Sequence, residues 1–308
     1  MDDRTAVALS SPPPRTRVRI RAALSAAAVL LIVGCQSRVT GPTATVRRTP
    51  PPRRSVMSKP APLPPPAPVR PAPRYRKVIL GRSVHGAEIA MSEFGEGGPT
   101  LFVFGGIHGS EPTSAYLAQQ LERKLRKNPD LYAGMRVAVL TAANPDGLRR
   151  GQRENARGVD LNRNFPAKNW TAAAAHGRRP ASEPETQALL RAMHRLQPDA
   201  VIAIHAITGP RQCNNYDGPG RSLAQSMATG NGYPVRASIG YPTPGSFGSW
   251  AGVDRGIPVI TLELPRSQSA QAAWKQNESA LLAAIRSTAR LARHAPRAAP
   301  VNAGVRAR

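Results

Sequence analysis

The spacing of apolar residues changes several times along this chain, and each change predicts an element. Residues 78–80 and 88–92 read as short strands around a turn at His85-Gly86. The run Thr100–Phe104 is apolar and bounded by glycine, which predicts a buried strand, and Arg136–Leu140 predicts another. Over 113–127 the apolar positions Tyr116, Leu117, Leu121 and Leu125 recur at helical spacing, with Lys and Arg at the far end. Ser182-Glu183-Pro184-Glu185 has the form of a capping box with proline in the first turn, opening a helix that runs to Leu196. Residues 201–204 and 258–262 are apolar strands, and 269–294 is a long helix. Strands alternating with helices predict an α/β fold, a mixed central β-sheet flanked by helices as an α/β/α sandwich.

Outside 76–295 the pattern is different. Arg15, Arg17, Arg19 and Arg21 precede an apolar run from Ala22 to Val33. That run has the length of an export signal and falls short of the roughly 20 apolar residues of a membrane-spanning helix. It ends in Leu31-Ile32-Val33-Gly34-Cys35, which resembles a bacterial lipobox, where cleavage before the cysteine leaves an N-terminal residue that carries lipid. Residues 1–34 are therefore expected to be a lipoprotein signal peptide, with Cys35 as the lipidation site; the plainer alternative is an ordinary signal peptide that happens to end near a cysteine. By resemblance to the sorting rule of such lipoproteins, Gln36 implies the periplasmic face of the outer membrane. Residues 35–75 are expected to form a Pro-rich basic linker in extended polyproline conformation, reaching up to about 120 Å at roughly 3.1 Å per residue. Residues 296–308 read as a basic disordered tail.

Charge sharpens this division. The chain of 308 residues has a formal net charge of +25, and residues 1–77 and 286–308 account for 19 of those charges. What remains is a mildly basic folded part, and no nucleic-acid motif accompanies the basic arms, so a nucleic-acid partner is not expected. After removal of Cys35 to the membrane only Cys213 is left, which excludes an internal disulfide. A lone thiol near Asn214-Asn215-Tyr216 reads as packing or pocket lining, since a cysteine nucleophile needs an activating histidine.

The candidate chemistry gathers at the ends of the buried strands. After Phe104 come Gly105-Gly106-Ile107-His108-Gly109-Ser110-Glu111, where a His and a Glu three residues apart can converge on one ion. His205, directly after an apolar strand, is the third candidate. Two imidazoles and a carboxylate leave a fourth tetrahedral position for water, the pattern of a catalytic zinc site. A second His-x-x-Glu pair, His85 and Glu88, sits in a turn with no buried strand leading into it and reads as solvated.

Asn144-Pro145-Asp146-Gly147, Arg153, the run from Gly158 to Pro166 (GVDLNRNFP), His205 and Thr261-Leu262-Glu263-Leu264 follow in that order. With these motifs, residues 76–290 resemble the zinc metallocarboxypeptidases (the carboxypeptidase A family), and within them the bacterial murein peptide amidase branch. The resemblance implies Zn²⁺ held by His108, Glu111 and His205, and Glu263 as the general base. It implies Arg153 as the oxyanion stabiliser, although Arg149, Arg150 and Arg157 lie close in sequence. Asn162 and Arg163 match the pair that grips a substrate carboxylate, with Asp160 and Asn164 as supporting or turn residues. Tyr241, 22 residues before Glu263, matches the family's mobile tyrosine or is a loop tyrosine before Pro242. Ser110 stands where digestive relatives carry an arginine, and Ala206 where a serine is common.

The expected reaction is hydrolysis of an amide beside a carboxylate-bearing terminal residue. A peptidoglycan-derived peptide is the expected substrate, through its γ-D-glutamyl–meso-diaminopimelate bond. The stretches 215–220 (NYDGPG) and 243–250 (TPGSFGSW) resemble those of murein peptide amidases. Two alternatives stay open: a general carboxypeptidase acting on peptide C-termini, and a non-enzymatic peptidoglycan-binding lipoprotein on the same scaffold.

Overall fold

Two strands whose residues are all buried organise the molecule. β3 (Thr100–Phe104) and β5 (Ala200–Ile207) expose nothing on either face, so they need cover on both sides. The structure, a computed structural model, describes residues 75–291. The expected export signal, Cys35, the Pro-rich stretch and the tail from 296 lie outside the described residues. Within them the order is β1 (Tyr75–Arg82), β2 (Glu88–Phe94), β3, α1 (Pro112–Lys127), β4 (Arg136–Leu140), α2 (Pro145–Arg150), α3 (Pro184–Leu196), β5, β6 (Cys213–Asp217), α4 (Arg221–Asn231), β7 (Val235–Arg236), β8 (Val259–Pro265) and α5 (Ala270–Leu291).

The strands form one eight-stranded sheet in the order β1-β2-β4-β3-β5-β8-β6-β7. The central four, β4-β3-β5-β8, are parallel, while β2 joins β4 and β6 joins β8 antiparallel. Helices α1, α4 and α5 cover one face, where Leu117, Leu121, Met227, Leu281 and Ile285 pack on Val103, Val139 and Ile202. On the other face α3 packs with Phe165, Phe247 and Trp250 over Phe102, Phe104, Val201 and Ala203. The result is the expected mixed sheet between helical layers. From β3 the chain moves to β4 on one side, then returns to β5 on the other. A crevice opens at such a reversal, at the carboxyl ends of the parallel strands.

The helix at 184–196 forms as expected, but its start differs from a capping box. Glu183 is the capping residue and makes no side-chain cap bond. The Ser182 hydroxyl instead donates to Glu183 Oε1, and the Glu185 carboxylate accepts from the Val84 and Asn155 nitrogens. Tertiary partners have taken the groups that a local box would use. The segment 213–236, which carried no predicted element, holds β6, α4 and β7.

Candidate active site

The loop after β3 turns through Gly106, whose φ of +66° suits glycine. Gly109 follows, where a Cβ would lie 2.0 Å from the backbone carbon of Gly147. No other residue lets the two loops approach so closely. Asn144 fastens them: its Oδ1 accepts from Gly147 N, while its Nδ2 donates to the carbonyls of Ile107 and Glu154. One buried asparagine thus ties the segment carrying His108 to the segment carrying Arg153. Ser114 braces the same turn by donating to the Glu111 carbonyl and accepting from Gly106 N.

His108, Glu111 and His205 are each about 3% exposed, and their ligand atoms converge. His108 Nδ1 lies 3.0 Å from Glu111 Oε1 and 3.2 Å from His205 Nδ1, and His205 Nδ1 lies 3.3 Å from Glu111 Oε2. Zinc bonds of about 2.0–2.1 Å in a tetrahedron give ligand–ligand edges of roughly 3.3 Å. The observed spacing and the donor set, two nitrogens and one carboxylate, therefore fit Zn²⁺. The other ring nitrogen of His108 donates to Asp160 Oδ1 at 3.1 Å, which fixes Nδ1 as the free donor. Glu111 Oε2 also accepts from Ala206 N, and Arg266 donates to Oε1 at 3.0 Å.

Burial works against every charge here, and the partners decide the outcome. It would push Glu111 up, but His108 and His205 hold its carboxyl far below the usual range. It opposes ionisation of Asp160 too, yet His108, Arg153 and Arg163 keep that group low. Burial would lower His108, and Glu111 and Asp160 raise it instead. Glu263 is the exception. It is 5% exposed, its carboxyl is raised chiefly by burial with Glu111 adding, and His205, His108 and Arg153 only partly oppose. A carboxylate with a raised proton affinity beside a metal-ligand trio is suited to accept a proton and give it back. β8 places it there, since Glu263 is in register with His205 on β5.

These residues share one cavity of about 240 Å³ with Arg153, Asn162, Arg163 and Tyr241. The neighbouring arginines are occupied elsewhere: Arg149 with Asp146, Arg150 with the Asn155 carbonyl, Arg157 with Glu183. Arg153 alone of the four lines the cavity, held by Asp160 Oδ2 at 2.9–3.0 Å and 3.5 Å from Glu111. Asn162 Oδ1 accepts from Phe247 N, and Arg163 Nη1 donates to the Asn162 carbonyl. Tyr241 stands at the mouth, 44% exposed. His85 is exposed and Glu88 pairs with Lys77, so that second His-x-x-Glu pair stays out of the site. Cys213 is buried in register with Glu263 across β6 and β8 and does not line the cavity; burial lifts its thiol to about 11, so it is a packing residue and an unreactive one. Arg266 and Arg211 also line the cavity and were not singled out by sequence, while Asn215 and Asp217, which line it too, belong to the stretch 215–220 that resembles those of murein peptide amidases. Arg266 follows the strand that bears Glu263, and no spacing rule points to it.

Residues 72–284 match the zinc carboxypeptidase family model. The chain is 39% identical over 189 residues to murein peptide amidase A of Escherichia coli K12, covering 56% of this chain and 74% of that protein. It is 32% identical over 180 residues to murein peptide amidase A of Vibrio campbellii, covering 53% and 68%. Among solved structures, the murein-tripeptide amidase of Escherichia coli O157 superposes with a TM-score of 0.54 at 34% identity, covering 71% of this chain and 92% of that one. Bovine thrombin-activatable fibrinolysis inhibitor, 18% identical, shares the fold with a TM-score of 0.62 over 72% of this chain and 91% of that one.

Proposed function

We propose, from the premise that this chain belongs to the zinc carboxypeptidase family, that it hydrolyses the γ-D-glutamyl–meso-diaminopimelate bond of murein peptides. The observation that carries the reading is the convergence of His108, Glu111 and His205 beside a buried Glu263 that has no ion-pair partner among the described residues, in a cavity that also holds Asn162 and Arg163. Sequence identity of 39% to a murein peptide amidase supports the substrate.

Zinc, when bound by these three residues, supplies Lewis acidity that polarises the scissile carbonyl and lowers the pKa of an adjacent water. Glu263 takes a proton from the attacking water and delivers it to the leaving amine, so one water is consumed and a carboxylate and an amine are formed. Arg153 offers its guanidinium to the oxygen on which negative charge develops. Asp160 holds both Arg153 and His108, so a single carboxylate orients a ligand and the oxyanion donor. Asn162 and Arg163 receive a carboxylate of the leaving residue, a task for which the planar guanidinium fork is suited. Tyr241 closes over the mouth once substrate is in place.

The test is release of diaminopimelate from the tripeptide L-Ala-γ-D-Glu-meso-diaminopimelate by the zinc-loaded full chain. Glu263→Gln is expected to lower kcat by about 10²–10⁴-fold while zinc content stays near one per chain. A zinc-loaded protein that releases no diaminopimelate rejects the substrate, and cleavage of hippuryl-type esters would then favour a general carboxypeptidase. The non-enzymatic scaffold is disfavoured by the retention of all three ligands and Glu263.

The reading extends to location. Cys35 is the lipid anchor and residues 36–75 the tether, which puts the enzyme on the periplasmic face of the outer membrane, where murein is within reach. Labelled palmitate should enter the protein in cells and be lost in Cys35→Ala; equal labelling of both removes the anchor.

A further inference from the structure

Register along β8 gives the cavity a direction. Glu263 stands level with His205 on β5 and Cys213 on β6, and the row beneath it holds Thr261 and Asn215. Toward the carboxyl end of β8 the company changes. Pro265 is level with Ile207, and Arg266 N donates to the Ile207 carbonyl. β8 lies between β5 and β6 in the sheet, so the connection from Ile207 to Cys213 crosses over the end of β8, where Arg266 sits. That connection carries Arg211. Two arginines thus stand on neighbouring segments above the Glu263 row, and both line the cavity.

This upper rim is positive and brings no acid of its own, since residues 207–212 (ITGPRQ) and 264–268 (LPRSQ) contain none. Arg211 donates Nε to the Thr208 carbonyl at 3.1 Å and has no carboxylate partner among the described residues. Arg266 commits a single nitrogen: Nη2 donates to Glu111 Oε1 at 3.0 Å and to the Ala206 carbonyl at 3.4 Å. Its Nε and Nη1 make no hydrogen bond among the described residues. The Arg266 backbone lies roughly 10 Å beyond Glu263 at about 3.3 Å per residue, so its side chain runs back toward the metal trio along the cavity wall. The other guanidiniums of the cavity have tasks already. Arg153 is held by Asp160 facing the reacting oxygen, and Arg163 with Asn162 takes the carboxylate of the released residue. Two further cations at the opposite end of the cavity suit a second anionic group on the substrate.

We propose that Arg211 and Arg266 receive the free α-carboxylate of a γ-linked glutamyl residue on the acyl side of the scissile bond. This rests on the reading of the site given above and adds the feature that tells a γ-amide from an ordinary peptide. In an α-peptide the α-carboxyl of the acyl residue is itself the scissile carbonyl, so no carboxylate is left there for the rim to bind. In a γ-glutamyl amide the scissile carbonyl belongs to the side chain, and the α-carboxylate stays free a short methylene chain away. The rim supplies donors and charge for that group, whereas an uncharged acyl residue leaves both guanidiniums without a partner and is discriminated against.

The experiment compares L-Ala-γ-D-Glu-meso-diaminopimelate with the same peptide carrying the glutamyl α-carboxylate as a carboxamide, which removes only that charge. For the wild-type full chain with zinc, kcat/KM is expected to favour the free acid by about tenfold or more. Arg211→Gln should lower that ratio by at least about threefold, and adding Arg266→Gln should bring it to within about threefold of one. Each ratio sets two substrates against one protein, so a change in zinc occupancy from altering Arg266 beside Glu111 cancels. Arg211 has no bond to any of the three ligands, so its single variant tests the rim alone. Equal wild-type values for the two peptides, or a ratio that Arg211→Gln or the double variant leaves unchanged, overturn the assignment while leaving the murein reading intact. Cleavage of neither peptide by the wild type overturns the murein reading, and the rim assignment with it.

Discussion

Asp160 shows how much one buried carboxylate can arrange, since it accepts from His108 Nε2, from Arg153 and from Asn162 N. Each of those residues has a separate chemical task, and their relative positions follow from a shared acceptor. Asp217 is its opposite, a carboxylate with no hydrogen bond or ion pair among the described residues. The difference has a measurable effect on stability. Burial raises Asp217 to about 6 from the 3.8 of a free aspartate, so the folded state binds its proton more tightly than the unfolded chain does. The sign follows: the penalty is absent below pH 4, grows between the two values and is full above pH 6. Asp217→Asn should therefore stabilise the protein at pH 8 by on the order of 1 kcal/mol, about 2–4 °C in Tm for a domain of this size, and change little at pH 4. Thermal melts at the two pH values check this. An equal shift at both would mean that the carboxylate's charge is not the cause.

At the level of elements, legibility tracked burial. β3 and β5 were readable because each is covered on both faces, which forces a continuous apolar run. β6 was not: its sequence, CNNYD, gives its interior to amides. Asn214 and Asn231 exchange hydrogen bonds at 3.1 Å, and Asn231 Nδ2 donates to Asn277 Oδ1 at 2.9 Å. A strand and two helices are thus joined by three buried asparagines, where an apolar pattern would have announced the contact. α4 hides for a related reason. Its Gly230 sits where a Cβ would meet Ala280 N at 2.5 Å, so close packing against α5 has replaced a residue that favours helices. The candidate site divides along the same line. His108, Glu111, His205 and Glu263 lie within short motifs at strand ends and could be read. Asn215 and Asp217 matter because register places them beneath Glu263, and register is invisible until β6 is seen to pair with β8.

Across the whole molecule, the metal site depends on strands that are far apart in sequence and adjacent in the fold. His108 follows β3 and His205 lies on β5; 97 residues separate them in sequence although the strands are neighbours in the sheet. A ligand that binds only the folded state adds about 4 kcal/mol of stability when its concentration is 1,000 times its Kd. Removing the metal with a chelator is accordingly expected to lower Tm by about 8–16 °C, and readdition of zinc to restore it. A melt that ignores the chelator would mean that the trio does not hold the ion tightly. The same separation makes the bound ion a reversible staple across a loop of nearly a hundred residues. A chain halted before β5 has docked owns a histidine and a glutamate but no clasp. At saturating zinc, the stoichiometry of a preparation therefore counts the molecules in which β3 and β5 have come together.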